Sequence, residues 1–189
     1  MRDSIFAVVR DAILSRRPSC VLDAPCGDAR YWDTASFRPD ILVGADIAFP
    51  GRRSPAIRCV RLDLNRPFPF PPDTFDAALC AEGIEHLLEP HQAIAEFHRV
   101  LKPGALLLVS TPNIGNIASR IHYLFRGKYA GCTPIARTPG DFQSRSDYRE
   151  FLMGEHVRPL SFTDLHFMLT HAGFRISAVY GLDIKPRHR

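Results

Sequence analysis

The sequence lacks the features that mark secreted, zinc-stapled or membrane-spanning proteins. Its five cysteines form no C-x-x-C pair, and an odd, scattered set argues against a disulfide framework or a zinc knuckle. No apolar run approaches the roughly 20 residues that a membrane-spanning helix needs. Charged residues interrupt the apolar residues of the N-terminal segment, which therefore predicts a short amphipathic helix ended by Pro18 rather than a signal peptide. We accordingly predict a cytoplasmic protein with no transmembrane segment.

The composition is that of one globular domain. Hydrophobic residues make up 46% and charged residues 23% of 189 residues, which is ordinary for a chain of this size with a real core. The formal net charge of +4 permits an anionic partner without demanding one.

Five short apolar runs alternate with helical patterns, as in βαβ units around a parallel sheet. Each run is continuous, which suits a strand buried on both faces. The predicted strands are Ser19 to Pro25, Asp40 to Ile47, Ile57 to Asp63, Phe75 to Glu82 and Ala105 to Thr111. Between the last two, a helical stripe runs from Ile94 to Leu101, and Pro103 with Gly104 is expected to end that helix. We therefore predict an α/β fold with a Rossmann-like, doubly wound, mainly parallel sheet and helices on both faces.

The regular pattern breaks after the fifth predicted strand. Residues from about 113 to 160 are aromatic and basic, and the stretch is too long for a plain connector. Apolar residues between Ile117 and Phe125 predict one helix in it. We interpret the segment as a lid-like insertion that covers the substrate.

Regular structure is predicted to resume with SFTDLHFMLTHAG. Ser161 or Thr163 suits the N-cap of this helix, and Gly173 suits its end. A strand with the sequence FRISAVYG is predicted to follow.

Acidic residues end the first three predicted strands. The first strand runs into a tight turn at Gly27, where a ligand of an open α/β sheet is expected to bind. Asp46 ends the second strand 19 positions later (46 − 27), where a carboxylate commonly grips a ribose diol. Asp63 ends the third strand and is placed to meet an adenine amino group. This spacing predicts a ligand that contains adenosine.

The same loop argues against phosphate. A dinucleotide loop would be G-x-G-x-x-G, whereas Gly27 is the single glycine here, and Asp23 and Asp28 would repel phosphate. No G-K-[ST] motif is present either. A cationic, phosphate-free adenosine ligand, S-adenosyl-L-methionine, therefore fits best.

The chain resembles the class I S-adenosylmethionine-dependent methyltransferases over nearly its whole length. The matching stretches are VLDAPCGDAR, GADI, RLDLNRPFPFPPDTFDAALCAEGIEHL, EFHRVLKPGALLLVSTPN and LTHAGF. The resemblance implies one methyltransferase domain over residues 1–189. It implies that the methionine moiety of the cofactor is surrounded by Asp23, Ala24, Pro25, Cys26 and Gly27. It also implies that the ribose is held by Asp46 and Ile47 and that the adenine is flanked by Asp63 and Leu64. The far side of the cofactor would be lined by Ala81, Glu82 and Gly83.

Two departures from the family pattern stand out. Pro25 and Ala29 occupy positions where the family usually has glycine. A proline fixes φ and removes a donor, which lowers the expected cofactor affinity. The last strand of the family's sheet is also missing after FRISAVYG, so either a shortened chain or another element that covers this edge is expected.

Glu82, Glu85 and His86 stand at i, i+3 and i+4, which places them side by side on a helix. Carboxylates with an imidazole suit a divalent metal, Mg²⁺ or Mn²⁺ or also Zn²⁺, with His156 as a fourth ligand. This E-x-x-E-H spacing resembles that of small-RNA 2′-O-methyltransferases and ubiquinone-pathway O-methyltransferases. Two alternatives stay open: a metal-free site in which His86 is the general base, and acidic residues that only stabilise a helix N-terminus.

The acceptor is the least determined part. The amino-methyltransferase motif N/D-P-P-Y/F is missing after the fourth strand, which favours oxygen. The C-terminal part resembles methyltransferases associated with surface polysaccharides. We predict an O-methyltransferase acting on a hydroxyl of a small molecule or glycan. An RNA 2′-O-methyltransferase is an alternative, disfavoured because no basic-aromatic platform is apparent; a catalytically inactive cofactor-binding module is another.

Overall fold

A computed structural model describes residues 10–29, 32–33, 35, 38–48, 57–127, 129 and 156–181. The strands are β1 (Cys20–Asp23), β2 (Ile41–Asp46), β3 (Arg58–Arg61), β4 (Phe75–Ala81) and β5 (Leu101–Ser110). The helices with defined bounds are α1 (Pro90–Val100), α2 (Ile117–Arg126) and α3 (Phe162–His171), and Ile84–His86 forms a 3₁₀ turn. The expected N-terminal helix covers residues 10–14 and ends before Pro18.

The five strands are all parallel and lie in the order β3-β2-β1-β4-β5. The chain starts at β1, moves outward to β3 and then returns to β4 on the other side of β1. The strand order therefore reverses between β1 and β4, and ligands of such sheets bind beyond the carboxyl ends of the strands at that reversal. This architecture confirms the predicted doubly wound parallel sheet.

Successive residues of the central strands point to opposite faces, and each face has its own core. Leu22 of β1 packs with Phe97 of α1 and Leu165 of α3 on one face. Val21, the residue before it, packs with Ile13 of the N-terminal helix on the other. Six of the seven β4 residues are buried, as expected for a continuous apolar run. Helices thus cover both faces of the sheet, as predicted.

The junction between α1 and β5 differs from the prediction. Pro103 and Gly104 do not end the helix, because β5 begins at Leu101 directly after Val100. Phe75 pairs with Leu101 and Ala77 pairs with Leu106, so the strand bulges between them. A bulge accommodates a proline without a donor and a glycine at φ +77°.

In the C-terminal part, the predicted helix is confirmed and the predicted strand is wrong. Ser161, rather than Thr163, is the N-cap of α3, with a full capping box to Asp164. The predicted strand over 174–181 is not formed: these residues are irregular, and within the described residues the sheet ends at β5. A strand pattern alone is insufficient, since a strand requires a neighbour to complete its hydrogen bonds.

The predicted insertion is described only in part. The expected helix between Ile117 and Phe125 is present as α2, whereas residue 128 and residues 130–155 lie outside the described residues. Among the described helices, none has the length and apolar character needed to cross a membrane.

Candidate functional site

The loop after β1 is held above the carboxyl edge of the sheet. The Ala24 N–H donates to Leu79 O of β4 at 2.9 Å, and the Cys26 N–H donates to Ala45 O of β2 at 3.1 Å. Gly27 has a φ of +55°, a conformation that glycine adopts without steric cost. The loop therefore spans the crevice at which the strand order reverses.

Asp23, at the end of β1, is fully buried. The indole Nε1–H of Trp32 donates to its Oδ2 at 2.8 Å. Trp32 is itself 1% exposed, so it orients the carboxylate from within the core and does not form an open wall of the pocket. Hydrogen bonds to an ionised group are among the stronger ones in proteins.

Asp46, at the end of β2, lies against the first loop. Its Oδ2 accepts the Gly27 N–H at 2.8 Å, and its Oδ1 accepts the Ala48 N–H at 3.1 Å. Burial raises the pKa of this carboxyl, while hydrogen bonds from Ala48, Gly27 and Ile47 oppose that shift. The structure thus joins the two acidic loops around Gly27.

Asp63 follows β3 and organises the next loop. Its Oδ1 accepts both the backbone N–H and the side-chain amide of Asn65, at 3.0 and 3.2 Å. Asn65 in turn accepts the Leu88 N–H at 2.9 Å, which connects this loop to the segment after β4. The neighbouring Leu64 is buried in the core.

Pro25, the departure from the family's glycine pattern, packs against Gly83. A Cβ at residue 83 would overlap ring carbons of Pro25, so the absence of a side chain at Gly83 is what admits the proline ring. Ala29, the second departure, adopts a φ of +55°, a conformation that usually favours glycine.

The Glu82–Glu85–His86 stretch does not begin an α-helix, contrary to the prediction. Only Ile84–His86 is helical, as a 3₁₀ turn, and the chain is extended again at Leu87. Glu82 lies before this turn at φ +51°, and its N–H is shared between the backbone oxygen of Ser110 at 3.1 Å and its hydroxyl at 3.2 Å. The i, i+3, i+4 alignment of all three side chains on one helical face is therefore absent.

Three residues instead form a compact cluster at this edge: Glu85, His86 and His156. The Nε2 atoms of both histidines lie 4.0 Å from Oε1 of Glu85, and the two rings are edge to face with centroids 5.0 Å apart. One ligand atom from each residue lies within 4.8 Å of the others. Glu82 does not belong to this cluster.

Two further contacts fix the cluster. Thr111 Oγ1, just past β5, donates to Glu85 Oε2 at 3.2 Å. The Arg158 N–H donates to the Glu85 carbonyl at 3.0 Å, which attaches the segment carrying His156 to the 3₁₀ turn. Glu85 is 2% exposed, so the carboxylate points into a protected position.

The sequence did not indicate the hydrogen bonds that Trp32, Asn65 and Thr111 make in the structure. Thr111 had a usable signal, because it ends a predicted strand and so lies at the carboxyl edge. The Trp32–Asp23 and Asn65–Leu88 contacts depend on how loops meet in space, and no spacing along the chain indicates them.

Known proteins resemble this chain in sequence and in fold. The methyltransferase domain family matches residues 22–109, from β1 to β5, a stretch that contains Glu85 and His86 but not His156. A probable S-adenosylmethionine-dependent methyltransferase of Mycolicibacterium smegmatis is 28% identical over 166 residues, covering 86% of this chain and 54% of the relative. A ubiquinone/menaquinone biosynthesis C-methyltransferase of Marinomonas sp. is 49% identical over 41 residues, covering 22% and 16%.

Among solved structures, the fold is similar to that of an S-adenosylmethionine-dependent methyltransferase from Archaeoglobus fulgidus. The TM-score is 0.60 at 18% identity, over 93% of this chain and 70% of that one. At this identity the likeness concerns the fold alone. The chain spans about half the length of the Mycolicibacterium relative.

Proposed function

Because the chain belongs to the class I S-adenosylmethionine-dependent methyltransferase superfamily, we propose that it transfers a methyl group from S-adenosyl-L-methionine to a hydroxyl of a small molecule or glycan. One observation carries the proposal. The carboxyl edge of the sheet combines carboxylates from the ends of adjacent strands, Asp23 and Asp46, with a carboxylate–imidazole cluster at Glu85.

The acidic loops suit the cofactor because it is cationic. Asp23 provides negative charge near the ammonium and sulfonium groups. The Asp46 carboxylate accepts backbone N–H groups from Gly27, Ala48 and Ile47. A carboxylate has about four lone-pair sites, so one is left for a ribose hydroxyl. Asp63 lies just after β3 for the adenine, and Ala81 to Gly83 lie at the end of β4 for the far side of the cofactor.

The reaction is an in-line displacement at the methyl carbon. A lone pair of the acceptor oxygen forms the new O–C bond as the C–S bond breaks, and the bonding pair leaves on sulfur as S-adenosylhomocysteine. In the absence of a metal, the acceptor's proton passes to an imidazole of the cluster, either His86 or His156, beside the carboxylate of Glu85. Most of the acceleration comes from holding the two reactants in line.

We further propose that Glu85, His86 and His156 form a divalent-metal site at the acceptor end. One carboxylate with two imidazoles is a donor set suited to a transition metal such as Mn²⁺ more than to Mg²⁺, which prefers oxygen ligands. A cation bound there would lower the pKa of an acceptor hydroxyl. Thr111 is placed to orient the Glu85 carboxylate, as partners of metal ligands commonly do.

Transfer to carbon is the second candidate. It is favoured by the identity of 49% to the ubiquinone/menaquinone biosynthesis C-methyltransferase, a protein of which only 16% is matched. The buried Glu85 beside two imidazoles supplies a base for either acceptor, since a hydroxyl oxygen and a carbon that bears hydrogen both lose a proton during transfer. A transferred methyl labelled with ¹³C distinguishes the two, because O–CH₃ and C–CH₃ carbons have different chemical shifts.

Calorimetry with S-adenosylhomocysteine tests the cofactor site. We expect the wild type to bind, and Asp46→Asn to bind about 10- to 100-fold more weakly because hydrogen bonds to a charged carboxylate contribute about 1.5–3 kcal/mol. Asp40→Asn, at an exposed position before β2, should bind like the wild type. Failure of the wild type to bind would overturn the proposed function.

A Mn²⁺ titration of the purified protein tests the metal site. Binding should be lost in His156→Ala and retained in His91→Ala, whose imidazole is 61% exposed on α1. If the wild type takes up no Mn²⁺ or Zn²⁺, the proposed metal site is wrong and the proton passes directly to the cluster.

The ¹³C label tests the acceptor. If the ¹³C-labelled product from an extract's small-molecule fraction carries C–CH₃, the proposed hydroxyl acceptor is wrong.

A further inference from the structure

Helix α2 presents large apolar side chains to solvent. Ile117, Leu124 and Phe125 are 77%, 77% and 78% exposed, and Ile121 is 52% exposed. No residue of this helix is buried. Contiguous apolar surface of this kind on a protein marks an interaction site more often than chance.

These side chains share one face of the helix. They stand at i, i+4, i+7 and i+8 from Ile117, which is the spacing of one apolar stripe. Arg120 flanks the stripe, and Arg126 lies on the opposite side. Both ends of the helix are capped. At the N-terminus the Asn116 side chain accepts the Ser119 N–H at 2.8 Å, and at the C-terminus Gly127 adopts a φ of +66°.

The charged side chains in the sequence around α2 are all cationic. No aspartate or glutamate occurs between Glu96 and Asp141, whereas Arg120 and Arg126 lie in α2, and Lys128 follows the helix in the sequence. The complement of this surface is therefore apolar at its centre and negatively charged at its rim.

We propose that α2 docks on an anionic lipid surface. Its 10 residues span about 15 Å at 1.5 Å per residue, half of the roughly 30 Å hydrocarbon core, so it would lie in the interface rather than cross it. The apolar stripe enters the boundary between headgroups and acyl chains, and Arg120 beside it extends to phosphates. Arg126, on the far side of the helix, adds only longer-range attraction to the anionic surface. A second copy of the chain is a poorer occupant, because a two-fold contact through α2 would bring the Arg120 side chains of the two copies to the rim of the same interface with no acidic residue of α2 to pair with them.

The docking surface adjoins the candidate site. Helix α2 begins seven positions after Ser110 ends β5 (117 − 110), and Thr111 in this connection contacts Glu85. Docking would therefore bring the carboxyl edge of the sheet close to the headgroups. This inference goes beyond methyl transfer and can be tested without it.

Vesicle co-sedimentation tests the inference. We expect binding to vesicles of phosphatidylcholine with about one-third phosphatidylglycerol, weaker binding to phosphatidylcholine alone, and loss of binding as salt rises. Arg120→Gln with Arg126→Gln should reduce the partition coefficient, by roughly fivefold for Arg120 beside the stripe and by less for Arg126 on the far side of the helix. The control pair, Arg38→Gln with Arg175→Gln, removes two exposed cations elsewhere and should have little effect.

A second pair tests the apolar stripe. Phe125→Ser should abolish vesicle binding, whereas Phe167→Ser, which removes a 66% exposed phenylalanine from α3, should retain it. Both variants should bind S-adenosylhomocysteine like the wild type, which separates this test from the cofactor site. The inference is overturned if the wild type ignores both vesicle types, if both phenylalanine variants lose binding equally, or if Phe125→Ser abolishes self-association and leaves lipid binding intact.

Discussion

Replacing Trp32 with phenylalanine tests how the first loop of the candidate cofactor site is held. The indole N–H donates to a fully buried carboxylate, Asp23, at 2.8 Å. Phenylalanine retains an aromatic ring but offers no donor. The substitution therefore removes one hydrogen bond to Asp23 and part of the packing.

The expected loss follows from these two contributions. A hydrogen bond to a charged group contributes about 1.5–3 kcal/mol, and the smaller ring leaves a void that costs about 1 kcal/mol more. Trp32→Phe should thus lower the free energy of unfolding by about 2.5–4 kcal/mol at neutral pH. Cofactor affinity should fall as well, since Asp23 is no longer oriented.

Urea denaturation measures the change in the free energy of unfolding, and far-UV circular dichroism must be the signal that follows unfolding. Trp32 is the only tryptophan of the chain, so its fluorescence disappears with the substitution. Calorimetry with S-adenosylhomocysteine provides the second measurement.

A second background separates the hydrogen bond from packing. In Asp23→Asn the acceptor is neutral, and a neutral hydrogen bond has roughly half the strength of a charge-assisted one. Trp32→Phe should then cost less than it does in the wild type. An equal cost in both backgrounds, or a loss below about 1 kcal/mol in the wild type, would refute the reasoning.

Two further predictions concern stability. Arg99 donates to both oxygens of Glu96 at 2.7 and 2.6 Å. These and the other hydrogen bonds hold the pKa of the Glu96 carboxyl below its ordinary 4.5. The contribution of this contact to folding stability is therefore complete above pH 4.5 and is lost as the pH falls through the lower pKa of the folded state. Glu96→Gln should cost about 1.5–3 kcal/mol at pH 7 and much less at pH 3, and a urea midpoint that drops equally at both would contradict this. Gly83→Ala should cost about 1–3 kcal/mol through overlap with Pro25, measured by urea denaturation. Gly181→Ala, with open space around its Cβ, should stay within about 0.5 kcal/mol, and equal effects would show that the overlap is relieved.

Local patterns were sufficient for the sheet and for the acidic loops. Continuous apolar runs predict buried parallel strands because both faces of such strands are covered. Asp23, Asp46 and Asp63 could be placed at one edge because parallel strands end on the same side. Their roles toward a cofactor remain proposals, as do those assigned to Glu82 and the residues around it.

Local patterns failed where distant segments meet. The prediction of a helix at Glu82 relied on spacing, and a single 3₁₀ turn replaced it because Gly83 and Leu87 leave the helical conformation at either end. The predicted strand over 174–181 had a suitable sequence but no neighbour among the described residues.

By itself, then, the sequence determined the parallel sheet, the acidic carboxyl edge and the amphipathic character of α2, because each depends on periodicity within a few residues. Only the tertiary structure decided which residues accompany Glu85. It placed His156, which the sequence predicts as a fourth metal ligand, beside Glu85 from 71 positions away (156 − 85), where the Arg158 N–H donates to the Glu85 carbonyl, and it left Glu82 out. Periodicity carries no information about such a contact, because the geometry of a site is set by loops that meet only when the chain has folded.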